Sequence, residues 1–251
     1  IIDKAKLCFI ETEARALNLY RSSFPNSVIF CRGEQPWVDS KVKVDFHTWV
    51  REHGPTFFDG QYQLQRSDGY LKVNNEELEM WRSKLTVIGG DTLKVGICWV
   101  SYQSVGPNTP CCTMLSEWAP VLSLPGTTFI NLHDLDGEEE VSEIQSKFDI
   151  QLHSVEGANL LNRFDHVAAI SKACDVVVTL PTTAGNIASA VGANVMELRP
   201  AHTALCMDVL PWFPNQKRFF RQWNENWTKA IENVAASLRE ILEKRQNGPL
   251  L

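Results

Sequence analysis

The segment Thr179-Leu180-Pro181-Thr182-Thr183-Ala184-Gly185-Asn186 carries the residue types of a phosphate site. A buried strand there runs into a helix whose first turn holds two hydroxyls, an alanine and a glycine. Free backbone N–H groups at such a turn, with the positive end of the helix dipole behind them, stand open to an anion. Pro181 suits the entry, because its fixed φ and missing N–H cost little at a helix start. The same letters fit a structural role of equal weight: Thr182 or Thr183 caps the helix, and Ala184, Gly185, Ala188 and Ala190 let it lie close on a sheet. Neither a Walker lysine nor a G-x-G-x-x-G run accompanies them, which weighs against P-loop ATPases and dinucleotide enzymes.

Other chemistry-bearing residues are fewer. Glu197 falls near the end of the next strand, where a carboxylate accepts from ribose hydroxyls or simply meets solvent. Asp165 and His166 head a helix, with Asp165 in the place of an N-cap more than of a ligand. Glu138-Glu139-Glu140 reads as a solvated helix start favoured by the dipole, not as a metal cluster. The 7 cysteines show no C-x-x-C pair, so neither zinc nor a disulfide framework is signalled. Cys98 and Cys174 sit in strand-like runs as small core hydrophobes, Cys111-Cys112 is given no chemistry, and a reducing, cytoplasmic setting fits them best.

The elements that must position these groups follow from hydrophobic periodicity. From Lys94 onward short apolar runs alternate with helical patterns, the signature of a parallel sheet covered by helices. Strands are predicted at 94–99, 128–132, 150–153, 175–180 and 194–198, and helices at 115–122, 138–148, 164–173, 182–191 and 224–246. Gly192 reads as a helix stop. Residues 1–88 are less regular, with strands at 7–10 and 27–30, helices at 14–20 and 75–85, and a polar stretch over 32–70. This predicts a partial amino-terminal domain over 1–88, a hinge at Gly89-Gly90-Asp91, and a Rossmann-like domain over 89–251. In open α/β sheets the ligand sits beyond the carboxyl ends of the strands, so the loops after Trp99, Leu132, Leu180 and Leu198 are where chemistry belongs.

Composition narrows the partners. The 251 residues carry a net charge of −6, which offers no global positive field to draw in nucleic acid. Apolar runs such as Val176-Val177-Val178 fall far short of the roughly 20 residues that cross a bilayer, and no transmembrane segment is expected. An opening of Ile1-Ile2-Asp3-Lys4 reads as a piece of a longer protein.

Periodicity leaves the string from Pro211 to Gln222, PWFPNQKRFFRQ, unexplained. Followed by Trp227, it resembles the "PWYPS-x-R-L-F-R-Q … W" tail of bacterial glycosyltransferases related to the heptosyltransferases, which often follow tetratricopeptide repeats. The likeness extends backward in order. Residues 93–99, LKVGICW, resemble the family's "LKVGISW" strand, and residues 115–122, LSEWAPVL, its "L-x-x-W-A-P-L-L" helix. Residues 125–132 follow "PGV-x-F-V-x-L", residues 164–170 "F-D-D-x-A-A-L", and residues 184–192 "A-H-L-A-G-A-L-G".

That resemblance implies a GT-B fold, two Rossmann-like domains across a cleft, the carboxyl-terminal one taking a nucleotide diphosphate sugar. It implies transfer of the sugar to a glycan, lipid-linked or protein acceptor, with neither metal nor cofactor and with tetratricopeptide repeats upstream. The alternative is a catalytically degenerate nucleotide- or partner-binding module. The donor site it implies comprises Thr182, Thr183, Ala184, Gly185 and Asn186 at the diphosphate, Ser101 and Tyr102 opposite, and His133, Asp134 and Glu197 toward the nucleoside. Relatives carry Asp, His and a basic residue where this chain has Pro181, Asn186 and Val100. The family's catalytic base and Gly-rich acceptor loop lie in the early amino-terminal domain, so the resemblance assigns no catalytic residue here.

Overall fold

The computed structural model describes residues 5–39, 42–47, 69–100, 113–133, 138–148, 150–201, 210 and 212–248. In chain order β1 (Phe9–Thr12), a 3-10 turn (Ala14–Ala16), α1 (Leu17–Ser23), β2 (Val28–Cys31) and α2 (Pro36–Asp39) come first. After them stand α3 (Asn75–Gly89), β3 (Leu93–Cys98), a second 3-10 turn (Leu115–Trp118), α4 (Ala119–Leu122) and β4 (Thr127–Asn131). The chain continues through α5 (Glu138–Phe148), β5 (Leu152–His153), α6 (Phe164–Ala173), β6 (Val176–Thr179) and α7 (Thr183–Ala190). It closes with β7 (Val195–Pro200), β8 (Gln216–Arg221) and α8 (Thr228–Gln246).

β1 and β2 pair in parallel across the turn and α1, a single βαβ unit. The larger sheet has 6 strands in the order β5-β4-β3-β6-β7-β8, every neighbouring pair parallel. Counted within this sheet the order is 3-2-1-4-5-6, the doubly wound Rossmann arrangement. The chain reverses its direction of travel between β3 and β6, the switch point where open α/β sheets form their ligand crevice, beyond the carboxyl ends of those two strands.

Both faces of the sheet are covered, which explains why β3 and β6 are buried at every position. On one face Trp81 and Leu85 of α3, Ala169 and Ile170 of α6 and Ala188 of α7 pack with Cys98, Ile130 and Val177. On the other, Trp118, Val121 and Ile144 join Ile231, Val234 and Leu238 of α8 over Val95, Ile97 and Val178. A third cluster adds Leu19 of α1 and Leu71 to the outer side of α6 and α7, through Val167, Ile187 and Val191. Helix α3, on the amino-terminal side of the boundary expected at residue 89, therefore contributes to the core of the large sheet.

Local chemistry sets the helix ends. The Asn74 carboxamide accepts from the Glu76 and Glu77 N–H groups at the start of α3. At the end of α7, Gly192 has φ 73°, its N–H donates to the Ser189 carbonyl and the Ala193 N–H to that of Ala188, which closes a Schellman motif. This is the helix stop read from the sequence.

Differences from the expected elements have physical causes. The segment 115–122 divides into a 3-10 turn and a short α-helix, and the last helix begins at Thr228 rather than 224. β8 carries no apolar run, because it is an edge strand: Lys217 is exposed on it while Arg218 is buried and charge-paired, a pattern that periodicity does not score as strand. Among the described residues no helix is long and apolar enough to cross a membrane. Cys98 and Cys174 are buried as expected, and burial pushes the Cys174 thiol far up. Cys111, Cys112 and Cys206 lie outside the described residues.

Candidate functional site at the carboxyl edge of the sheet

β6 delivers the chain to the crevice, and Thr182 turns it into α7. Thr182 is the N-cap, extended at φ −119° and ψ 166°, and its hydroxyl oxygen accepts from the Gly185 N–H at 3.0 Å. The Thr179 hydroxyl donates to the Leu180 carbonyl at 2.8 Å and lies 3.0 Å from the Thr182 hydroxyl, whose proton is thereby directed to Thr179. Thr182 is buried and its hydroxyl is fully engaged inside the fold, so its side chain takes the capping role rather than facing a ligand. Gly185 serves packing: a Cβ there would stand 2.6 Å from Thr179 Cγ2 and 3.2 Å from the Leu180 carbonyl oxygen. What remains for an anion are the first-turn N–H groups of Thr183 and Ala184, which a helix cannot satisfy itself. Thr183 and Asn186 are exposed beside them.

Glu197, at the carboxyl end of β7, is 1% exposed. Its carboxylate accepts from Arg199 Nε at 2.6 Å and Arg199 Nη2 at 3.2 Å, and Arg218 Nε of β8 approaches within 3.2 Å. Arg218 Nε also donates to Gln216 Oε1 at 3.2 Å, Gln216 Nε2 to Ser189 Oγ at 3.3 Å, and Ser189 Oγ to the Gly185 carbonyl at 2.9 Å. The carboxylate expected to receive ribose hydroxyls is instead neutralised by two guanidiniums, in a polar seam that ties β7 and β8 to α7. Arg218, part of the string that periodicity left unexplained, has a side chain with 0% exposure.

His133 follows β4 and is buried against Trp99, with ring centroids 4.7 Å apart, while its backbone N–H donates to Asn131 Oδ1 at 2.7 Å. Trp99 is further held by Glu140 of α5, whose carboxylate accepts from Trp99 Nε1 at 2.9 Å and from the Leu115 N–H at 2.5 Å. Glu140 is thus a strut between α5 and the end of β3, not part of a solvated acidic start. Ser101, Tyr102 and Asp134, expected on the donor side, lie outside the described residues.

A second cluster stands on the same edge, of which the sequence singled out Asp165 and His166 but not Glu77 or Arg163. α3 leads into β3, α6 into β6, and α7 follows β6, so all three run against the strands and start at the carboxyl edge. Arg163, the residue before α6, bonds Asp165 through Nε at 3.0 Å and through Nη2, and Nη2 also stands 3.5 Å from Glu77 Oε1 at the start of α3. Asp165 therefore sits within the first turn, bonded to Arg163, rather than capping the helix. Ligand atoms of Glu77, Asp165 and His166 lie within 4.8 Å of one another, but the Arg163 guanidinium already bonds two of the three and supplies the positive charge. The pairing spans residues 86 apart in sequence, which is why no local motif announced it.

These contacts move the titrations in opposite directions. Burial, the Asp165 charge and, against them, Arg163 leave the Glu77 carboxyl raised. Burial would raise Asp165 as well, but the bonds from Arg163 and its own backbone N–H outweigh it and hold that carboxyl low. His166 is lowered by burial and by Arg163 and Lys84, with Asp165 opposing. Its Nδ1 accepts from the Asn159 N–H at 3.2 Å, and its ring meets the edge of Trp81 at 5.2 Å. A lowered histidine adds stability above its unfolded value of 6.5 that is lost as pH falls through the folded value. Urea unfolding should therefore show a lower midpoint at pH 5 than at pH 7, with a smaller drop in His166→Gln; an unchanged drop in the variant would show that other groups carry it.

No protein-family model matches the chain. It is similar to the protein FlbA of Caulobacter vibrioides, 26% identical over 208 residues, which is 82% of this chain and 35% of FlbA, so the chain spans about a third of that curated relative. Among solved structures it superposes on a glycosyl transferase family 9 protein from Veillonella parvula with TM-score 0.55 at 11% identity, covering 94% of this chain and 96% of that one. It also superposes on the Escherichia coli ADP-heptose lipopolysaccharide heptosyltransferase II with TM-score 0.50 at 14% identity, covering 70% of this chain and 54% of that one. The fold is of the GT-B glycosyltransferase type. Within this GT-B-type frame, the first turn of α7, Trp99 with His133, and the Glu77–Arg163–Asp165 cluster all border one edge of the Rossmann-like sheet.

Proposed function

We propose that the chain is the donor-binding part of a metal-independent glycosyltransferase, which moves a sugar from a nucleotide diphosphate sugar to a glycan, lipid-linked or protein acceptor. The observation that carries this reading is the start of α7 at the switch point of a GT-B-type sheet, where the Thr183 and Ala184 N–H groups are left over and Thr183 and Asn186 are exposed. As the sugar bond breaks, charge builds on the departing diphosphate, and fixed amides in a crevice stabilise that charge without reorganising. Asn186 adds a neutral donor one turn along, as does the Thr183 hydroxyl. Thr182 acts one step back, since its cap fixes the turn that presents the amides. Glu197 acts as an organiser: with Arg199 and Arg218 it sets the end of β7 that flanks α7. A nucleotide-sugar substrate and the free thiols of Cys8, Cys31 and Cys174 fit a cytoplasmic protein.

The full-length protein, incubated with ADP-, GDP- and UDP-sugars in EDTA, should release a nucleoside diphosphate from one of them, and Thr183→Trp should abolish release by filling the space above the first turn. No release from any donor, with donor binding intact, favours the second reading, a nucleotide- or partner-binding module without turnover. Its motive is specific: Pro181, Asn186 and Val100 stand where relatives carry charged or ionisable groups, and the donors that Thr183 and Asn186 add are neutral.

A further inference from the structure

A cavity of about 250 Å³ opens between α1, residues 72–74 and the starts of α3 and α6. At roughly 30 Å³ per water it has room for about eight waters, enough for one six-membered ring with its hydroxyls. Leu19 and Val73 give it a small apolar floor, while Asn18 and Asn74 bring amides to its wall. Such a mixture matches a sugar ring, whose C–H face is apolar and whose rim is all donors and acceptors. The charges do not cancel. Arg21, Lys72 and Arg163 face the cavity against Glu77 and Asp165, which leaves one positive charge in excess. Arg163 is spent on the two acids, so the excess lies with Arg21 and Lys72 at the exposed rim.

We infer that this cavity binds a monosaccharide unit bearing one carboxylate, its ring on Leu19 and Val73, its hydroxyls on Glu77, Asn18 and Asn74, and its carboxylate at Arg21 and Lys72. α6 touches both α3 and α7, so the cavity and the first turn of α7 lie on the same edge of the sheet. The unit's place as the end of an acceptor rests on the transferase reading; its binding does not.

Ligand-observed NMR on the full chain with glucuronate, glucose and inorganic phosphate tests this. Glucuronate should bind, glucose about tenfold more weakly, and Lys72→Ala or Arg21→Ala should each weaken glucuronate by about tenfold, the worth of one charge-assisted hydrogen bond. Both side chains are exposed, so neither change threatens the fold. Equal binding of glucose, displacement of glucuronate by phosphate alone, indifference to both substitutions, or no binding would each overturn the inference. Absence of nucleotide binding alongside intact glucuronate binding would sink the transferase reading and leave the cavity standing.

Discussion

Glu197→Ala should destabilise the protein by about 3–5 kcal/mol, read as a fall in the urea unfolding midpoint at pH 7. The carboxylate is 1% exposed and the Arg218 side chain that it meets is at 0%, with Arg199 at 15%. Removing the acid leaves two guanidiniums near each other with little water, and the desolvation cost that the carboxylate offset falls on the fold. Glu197→Gln keeps the shape and one acceptor but not the charge, so it should lie between wild type and Ala. Arg199→Ala should cost less than either, because Glu197 then still neutralises Arg218. A Glu197→Ala loss below about 1 kcal/mol would mean that the seam is wet and the pair behaves as a surface salt bridge.

Trp118→Ala should cost about 3–5 kcal/mol through the large cavity it leaves, a fall in melting temperature of roughly 6–20 °C for a chain of this size. Trp118 is fully buried in the cluster that joins the 115–122 segment to α8 and the sheet. Its Nε1 donates to the Thr113 hydroxyl at 2.8 Å, which donates to the Trp99 carbonyl at 2.6 Å. This chain of bonds fixes the end of β3, one bank of the crevice, so the change should weaken donor binding as well as the fold. Trp118→Phe keeps most of the apolar contact and should recover much of the stability but not the bond to Thr113. Differential scanning calorimetry separates the two effects from donor binding measured below the transition. Equal melting temperatures for Trp118→Ala and wild type would contradict the packing described.

The sheet was legible because its inner strands are written in one alphabet. Runs such as 95–98 and 176–178 are apolar throughout, and a strand covered on both faces needs no alternation. The helices α5 and α6 matched their predicted bounds because apolar and polar residues recur at helical spacing. β8 was hidden for the opposite reason, since Gln216, Lys217, Arg218 and Arg221 give no apolar period, and the burial of Gln216 and Arg218 depends on partners in α7 and β7. At the site, the turn from Thr182 to Gly185 was readable as a helix start, but its letters could not say whether the hydroxyls face in or out. The Thr179–Thr182–Gly185 bonds decide it for Thr182, and the cap takes the side chain while leaving two amides. Glu197 and the Glu77–Arg163–Asp165 cluster depend on contacts between distant segments, which no single-sequence spacing encodes.

Calorimetric titration of the full-length protein with ADP-, GDP- and UDP-sugars, repeated on Thr183→Trp, probes the first turn of α7 most directly. Thr183 is exposed, so the fold should survive the change, as the melting temperature will report. One nucleotide sugar should bind wild type in EDTA, and Thr183→Trp should lose that binding by at least about a hundredfold, the worth of two charge-assisted bonds to a phosphate. Binding that persists in a folded Thr183→Trp, or no binding of any nucleotide sugar by wild type, would contradict a donor site at the start of α7.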